Sequence, residues 1–176
     1  SMEFFAWPWM KQFFGDAEPK YKYAHLSEAL LFVPYGVTVD EFQHFVYDHP
    51  EATPAERKAK WREIEKKYLP YKIYEDNPFF EKGGWWFRQG HIFSTPFYYI
   101  DYTLAQMCAL QYFLLSRKDS KEAWNSYVKL CKMGGSKPFL ALVEAVGLKN
   151  PFIDGTIRQI TTEVEAILAT MDDKKM

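Results

Sequence analysis

The stretch Gly90-His91-Ile92-Phe93-Ser94-Thr95-Pro96-Phe97-Tyr98-Tyr99-Ile100-Asp101-Tyr102, which continues into apolar residues up to Ser116, decides how the rest of the chain is read. Thr95 offers an N-cap, and Pro96 suits a first helical position because its missing N–H is not needed there. No Gly or Pro follows before Ser116 and apolar residues recur at helical spacing, so the reading is one long helix from Pro96 to about Ser116. At about 100° per residue, with Tyr98 set at zero, Tyr102 falls near 40°, Gln106 near 80° and Tyr99 near 100°. Three phenols and a carboxamide therefore share one arc. His91 precedes this helix beside Gly90, a residue that lets backbone pass close to another group. Phenols, an imidazole and free helix N-terminal amides together suit an anion or a developing oxyanion. The same residues also suit a core in which each hydroxyl finds a partner, and spacing alone leaves both readings open.

Outward from that helix the pattern stays helical. Residues 2 to about 14 read as an apolar helix ending at Gly15, kinked at Pro8. Ala24 to Val33 reads as a second helix stopped by Pro34 and Gly36, and Thr38 with Glu41 as a capping box that opens a third, ended by Pro50. Thr53-Pro54-Ala55-Glu56 repeats that signal and opens a charged helix to about Tyr68. There Arg57, Lys58, Lys60, Arg62, Lys66 and Lys67 are interleaved with Glu56, Glu63 and Glu65, the pattern of a solvated face. Residues 70–94 are irregular, with Pro70, Pro78, Gly83-Gly84 and Gly90 among Trp85, Trp86 and Phe87. Long Gly-punctuated loops often carry function. Further helices are expected from Asp119 or Ser120 to Met133, from Lys137 to Val146 and from Thr156 to Met171. With no alternating β-branched run, repeat or linker, the expectation is a mainly α multi-helix bundle of about seven to nine helices, undivided over residues 1–176.

Charge and composition narrow the function classes. The 176 residues hold 22 Lys plus Arg against 23 Asp plus Glu, a net charge of −1, which supplies no long-range field for nucleic acid or anionic lipid. No segment approaches the ~20 apolar residues of a membrane span. Neither nucleic acid nor membrane is an expected partner. Aromatic residues reach 19%, enough to fill a core or line a groove. The dense apolar start at Phe4, Phe5, Trp7, Trp9, Phe13 and Phe14 reads as sequence interior to a longer chain. Cys108 and Cys131 form neither a C-x-x-C pair nor a disulfide framework, and read as small hydrophobes of a reducing compartment.

Metal and nucleophile signatures are weak. Glu41-x-x-His44 has the spacing of a di-iron bundle half-site, but no second such pair exists. His44 and His49 are five residues apart, not the four that aligns two imidazoles on a helix, and with His25 they read as structural. There is no G-x-S-x-G and no Walker phosphate loop.

The run Arg88-Gln89-Gly90-His91-Ile92-Phe93-Ser94-Thr95-Pro96-Phe97-Tyr98-Tyr99-Ile100-Asp101-Tyr102-Thr103-Leu104-Ala105-Gln106, followed by Ala109-Leu110-Gln111, resembles the C-terminal catalytic-domain region of oligoendopeptidase F, one of the thimet oligopeptidase-like zinc metallopeptidases. Ser1-Met2-Glu3-Phe4, Trp7-Pro8-Trp9-Met10, Tyr21-Lys22-Tyr23-Ala24-His25-Leu26 and Asp40-Glu41-Phe42-Gln43-His44 agree with it. The resemblance implies a helical cytoplasmic enzyme that encloses a deep channel and cleaves oligopeptides. In that family zinc is held by the two His of an H-E-x-x-H helix and a Glu on a following helix. This sequence has no H-E-x-x-H, and Ser1-Met2-Glu3 falls just after the third-ligand position. The resemblance therefore puts the zinc ligands in a missing N-terminal part of the same enzyme, and leaves this chain inactive in isolation. It carries over His91, Tyr99 and Tyr102 as the residues that bind the substrate backbone and stabilise the tetrahedral oxyanion. Tyr98 is the adjacent candidate for that contact, with Gly90 and Gln106 beside the substrate. The alternative is a non-catalytic helical module that binds a peptide or small ligand in the same aromatic groove.

Overall fold

A computed structural model describes residues 1–171, and every regular element among them is helical, as a mainly α multi-helix bundle requires. The α-helices are α1 (Met2–Phe5), α2 (Lys11–Phe14), α3 (Glu18–Asp48), α4 (Pro54–Tyr68), α5 (Pro78–Glu81), α6 (His91–Ser94), α7 (Tyr99–Lys118), α8 (Ser120–Met133), α9 (Phe139–Ala145) and α10 (Thr156–Leu168). Single 3-10 turns occupy Trp7–Trp9, Gly15–Ala17 and Gly84–Arg88. Where a side chain can satisfy the first free amides, helices begin as the sequence says. Thr53 Oγ1 accepts from the Glu56 N–H at 3.3 Å while the Glu56 carboxylate accepts from the Thr53 N–H at 2.8 Å, the full capping box of α4. Asp119 caps α8 by accepting from the Glu122 N–H at 2.9 Å.

Three boundaries differ from the sequence reading. The apolar start is not one helix, because Pro8 falls in a 3-10 turn that separates α1 from α2. Pro34 and Gly36 do not end a helix: α3 runs through both for 31 residues. Thr38 is consequently interior and caps nothing, and its hydroxyl donates back to the Pro34 carbonyl at 2.9 Å. Gly36 is required for a different reason, since a Cβ there would lie 1.8 Å from Thr103 Oγ1. Finally, α7 starts at Tyr99 and not at Pro96, because Phe97 takes φ 61° and breaks the helical run before it.

The chain forms two compact units, one of Ser1–Leu30 with the chain from Leu104 onward, the other Leu31–Thr103. The sequence reading expects no internal boundary; the divisions fall inside α3 and α7, where a continuous helix offers no linker to recognise. In the first unit Cys108, Tyr112, Val143, Val146 and Leu148 pack together, with Phe5, Tyr127, Leu130 and Met133 around them. Burial pushes the Cys108 thiol up to about 11, as fits a small hydrophobe, whereas Cys131 is exposed and does not behave as one. In the second unit Val39 and Phe42 of α3, Trp61 and Ile64 of α4, and Trp86 form the core, with Phe42 edge-on to Trp61 at 5.2 Å.

α4 is not solvated along its whole charged sequence. Arg62 and Glu65 are buried, at 7% and 0% exposure. Arg62 Nη1 donates to Glu65 at 3.0 Å and Nη2 to both oxygens of Glu81 at 3.0 Å, while the Tyr74 hydroxyl and Lys72 close on the other oxygen of Glu65. This network clamps the segment from Lys72 to Glu81 onto α4 and gives the irregular loop its shape.

Candidate functional site

The predicted residues come together in the second unit. His91 opens α6, and its ring lies 5.0 Å from Tyr99, 5.7 Å from Tyr102 and 6.5 Å from Tyr98, centroid to centroid. Tyr98 and Tyr102 are 5.2 Å apart and Tyr99 and Tyr102 5.6 Å. Tyr98 precedes the first residue of α7, yet it still reaches Tyr102. The backbone at Phe97 makes this possible. Its positive φ is held by Gln43 of α3, whose Oε1 accepts the Phe97 N–H at 2.8 Å, and its ring packs between His44 and Tyr47. A non-glycine residue in that region costs on the order of 1–3 kcal/mol and persists only when its surroundings hold it.

The cluster has an anchored side and an open side. Tyr99 is half-buried against Phe32 and Tyr35. Tyr98 and Tyr102 are 46% and 41% exposed, so both can meet a ligand. Burial, then the neighbouring Tyr102 phenol, pushes the pKa of Tyr99 up. Tyr102 is raised too, first by hydrogen bonding with Tyr98 and then by desolvation. Both phenols therefore keep their protons at and above neutral pH. They are donors, suited to an acceptor that carries negative charge.

Two contributors carry no local signal in the sequence. Gln89, 9% exposed, approaches His91 Nδ1 with its Nε2 at 2.6 Å, and its Oε1 accepts from the Tyr35 hydroxyl at 3.0 Å. Tyr35 and Gln89 are 54 residues apart, as are Gln43 and Phe97. No periodicity argument reaches such pairs.

Other expectations change. Gly90 has φ −53°, and a Cβ there would meet nothing within 4 Å, so no close backbone approach depends on it. The amides of Ile92, Phe93 and Ser94 are occupied within the turn, those of Phe93 and Ser94 by the Gly90 carbonyl at 3.0 and 3.1 Å. They are not a free anion site. Gln106 lies half-buried further along α7, in the first unit. Glu41 serves structure, accepting from Lys67 at 2.8 Å and from Tyr68; burial acts to raise its pKa, but these hydrogen bonds bring it below the usual carboxylate range. His44 is 63% exposed and faces Asp40 at 3.5 Å. In the first unit the Trp7 indole N–H donates to His25 Nδ1 at 2.9 Å while Glu3 faces Nε2 at 3.1 Å. Among the described residues no three His, Cys, Asp or Glu are grouped to hold a metal ion. One imidazole among phenols is a donor set for an anion and not a ligand set for zinc, so this cluster does not fit that ion.

No family model and no curated protein matches the chain. Solved structures do. One described as an oligoendopeptidase F is 55% identical with a TM-score of 0.97 over 99% of this chain and 31% of its own. PZ peptidase A, solved with an inhibitor, is 58% identical with a TM-score of 0.95 over 98% of this chain and 31% of its own. A third, described as an oligoendopeptidase F from Bacillus anthracis str. Ames, is 52% identical with a TM-score of 0.83 over 99% of this chain and 28% of its own. The chain thus spans about a third of the length of these relatives and matches their C-terminal part. Identity above one half along nearly every residue, with the same helical fold, makes the relation one of family: the chain belongs to the oligoendopeptidase F family.

Proposed function

We propose that this chain is the substrate-side part of a zinc metalloendopeptidase that hydrolyses short peptides, in which His91, Tyr99 and Tyr102 bind the peptide backbone and stabilise the tetrahedral oxyanion. The observation that carries the reading is the cluster itself: an imidazole within 5.0 to 6.5 Å, ring to ring, of three phenols, two of them open to solvent. Attack on a peptide carbonyl moves charge onto its oxygen. Preplaced O–H donors strengthen as that charge grows, so they act more on the transition state than on bound substrate. The raised pKa values of Tyr99 and Tyr102 keep these donors protonated at working pH. Tyr98 shares the open side with Tyr102, and Gly90 is a further candidate for contact with the peptide. Zinc and its ligands belong to the missing N-terminal part of the same enzyme, a cytoplasmic peptidase; that part and an oligopeptide are this chain's partners.

The test uses a fluorescence-quenched peptide. With the complementary part present, Tyr102→Phe lowers kcat by roughly 10²-fold and changes KM little, the loss typical of one oxyanion donor. A rise in KM alone would reduce Tyr102 to a binding contact. The chain by itself turns over no peptide; chelator-sensitive turnover that survives His91→Ala would overturn the role given to His91.

A further inference from the structure

Gln89 links His91 to Tyr35 through the two ends of its side-chain amide. The Tyr35 hydroxyl donates to Gln89 Oε1 at 3.0 Å. That contact uses the oxygen end of the amide and turns Nε2 toward His91 Nδ1, at 2.6 Å. An amide nitrogen only donates, so Nδ1 must be the bare nitrogen and the ring proton must sit on Nε2. Burial, then the neighbouring Tyr99, lifts Tyr35 to about 12, so the phenol stays a donor across working pH. Tyr35, Gln89 and His91 lie in the same unit.

We propose that Gln89, oriented by Tyr35, is a positioning residue that fixes His91 as the Nε2–H tautomer and thereby presents the candidate site with a donor in place of an acceptor. Its value to the reaction rests on the role proposed for His91 above, but the tautomer itself does not. Two-bond ¹⁵N–¹H correlation spectra of the intact protein, labelled at histidine, read it directly. There are four histidines, and the one lost in His91→Asn is the signal to follow. The wild type shows protonated Nε2 and bare Nδ1. Gln89→Glu replaces the donating nitrogen by an accepting oxygen and moves the proton to Nδ1. Gln89→Met keeps the length without either polar end and gives a mixture of tautomers, which carries the test should the Glu variant fail to fold.

A bare Nε2 in the wild type, or unchanged spectra in both variants, would overturn the proposal. Activity separates the two readings. With the complementary part present, Gln89→Glu lowers kcat by up to about 10⁴-fold, the loss that a wrong tautomer causes in a serine protease triad. A reversed tautomer with unchanged hydrolysis would keep the chain of bonds and remove His91 from the reaction. Lost hydrolysis with an unchanged tautomer would do the opposite.

Discussion

Phe97, at φ 61°, sets where Tyr98 leaves the backbone ahead of α7. A Phe carries no sign in the sequence that it will adopt φ 61°, and Thr95-Pro96 argues for a helix already under way there. The angular projection from Tyr98 nevertheless gathers the phenols that lie together in the structure, because Tyr99 and Tyr102 are helical and Tyr98 reaches Tyr102 from outside α7. What sequence could not supply is the pair of glutamines from other elements, Gln43 behind Phe97 and Gln89 behind His91, since contacts at such separation leave no period to detect. If Gln43 holds the Phe97 backbone, Gln43→Leu costs about 1–3 kcal/mol by leaving that N–H without its acceptor. Adding Phe97→Gly to the Leu variant should cost more than adding it to the wild type, because a backbone released from Gln43 has already shed the strain that glycine would relieve. Urea unfolding of the four proteins as a double-mutant cycle measures the coupling. Additive losses would mean that the hydrogen bond and the strained backbone are independent.

At the scale of elements, α4 was legible at its start and illegible on its inner face. Its capping box is a local signal and forms as written. The charge alternation is also local, but it cannot say which turn faces the core, and burying Arg62 with Glu65 depends on Glu81, Lys72 and Tyr74 arriving from the following loop. α3 was misread for the converse reason: Pro34 is a true local breaker, overruled by the packing of the residues that follow it, with Val39 and Phe42 fully buried. Glu65→Ala leaves Arg62 and Lys72 without a buried counter-charge and should cost about 3–5 kcal/mol in thermal unfolding. It should also loosen the Lys72 to Glu81 segment, read as faster amide exchange there than in α4. A loss below about 1 kcal/mol would place the pair in water, where the sequence reading had it.

Across the whole molecule the aromatic excess becomes a titration property. Eight of the twelve tyrosines, Tyr21, Tyr35, Tyr71, Tyr74, Tyr99, Tyr102, Tyr112 and Tyr127, have pKa values above the ordinary phenol value of 10.0. Desolvation is the leading cause for all but Tyr102, whose neighbour Tyr98 comes first. Below that value both the folded and unfolded chains keep these protons, and the phenols leave stability flat. Above it the unfolded chain releases them first, so the folded state binds more protons and stability falls as pH rises. The window opens near 10 and extends past about 12, where Tyr35 titrates. Lys72 works against this: burial lowers its pKa, so just below the ordinary lysine value of 10.5 the unfolded chain holds the extra proton. One lysine against eight phenols leaves the slope negative. Urea midpoints should therefore be level from neutral pH to about 9 and then drop steeply toward 12, while tyrosinate absorbance in the folded protein lags behind that of the urea-unfolded chain. Coincident absorbance titrations would mean that the rings are wet and that the aromatic content builds no desolvated core.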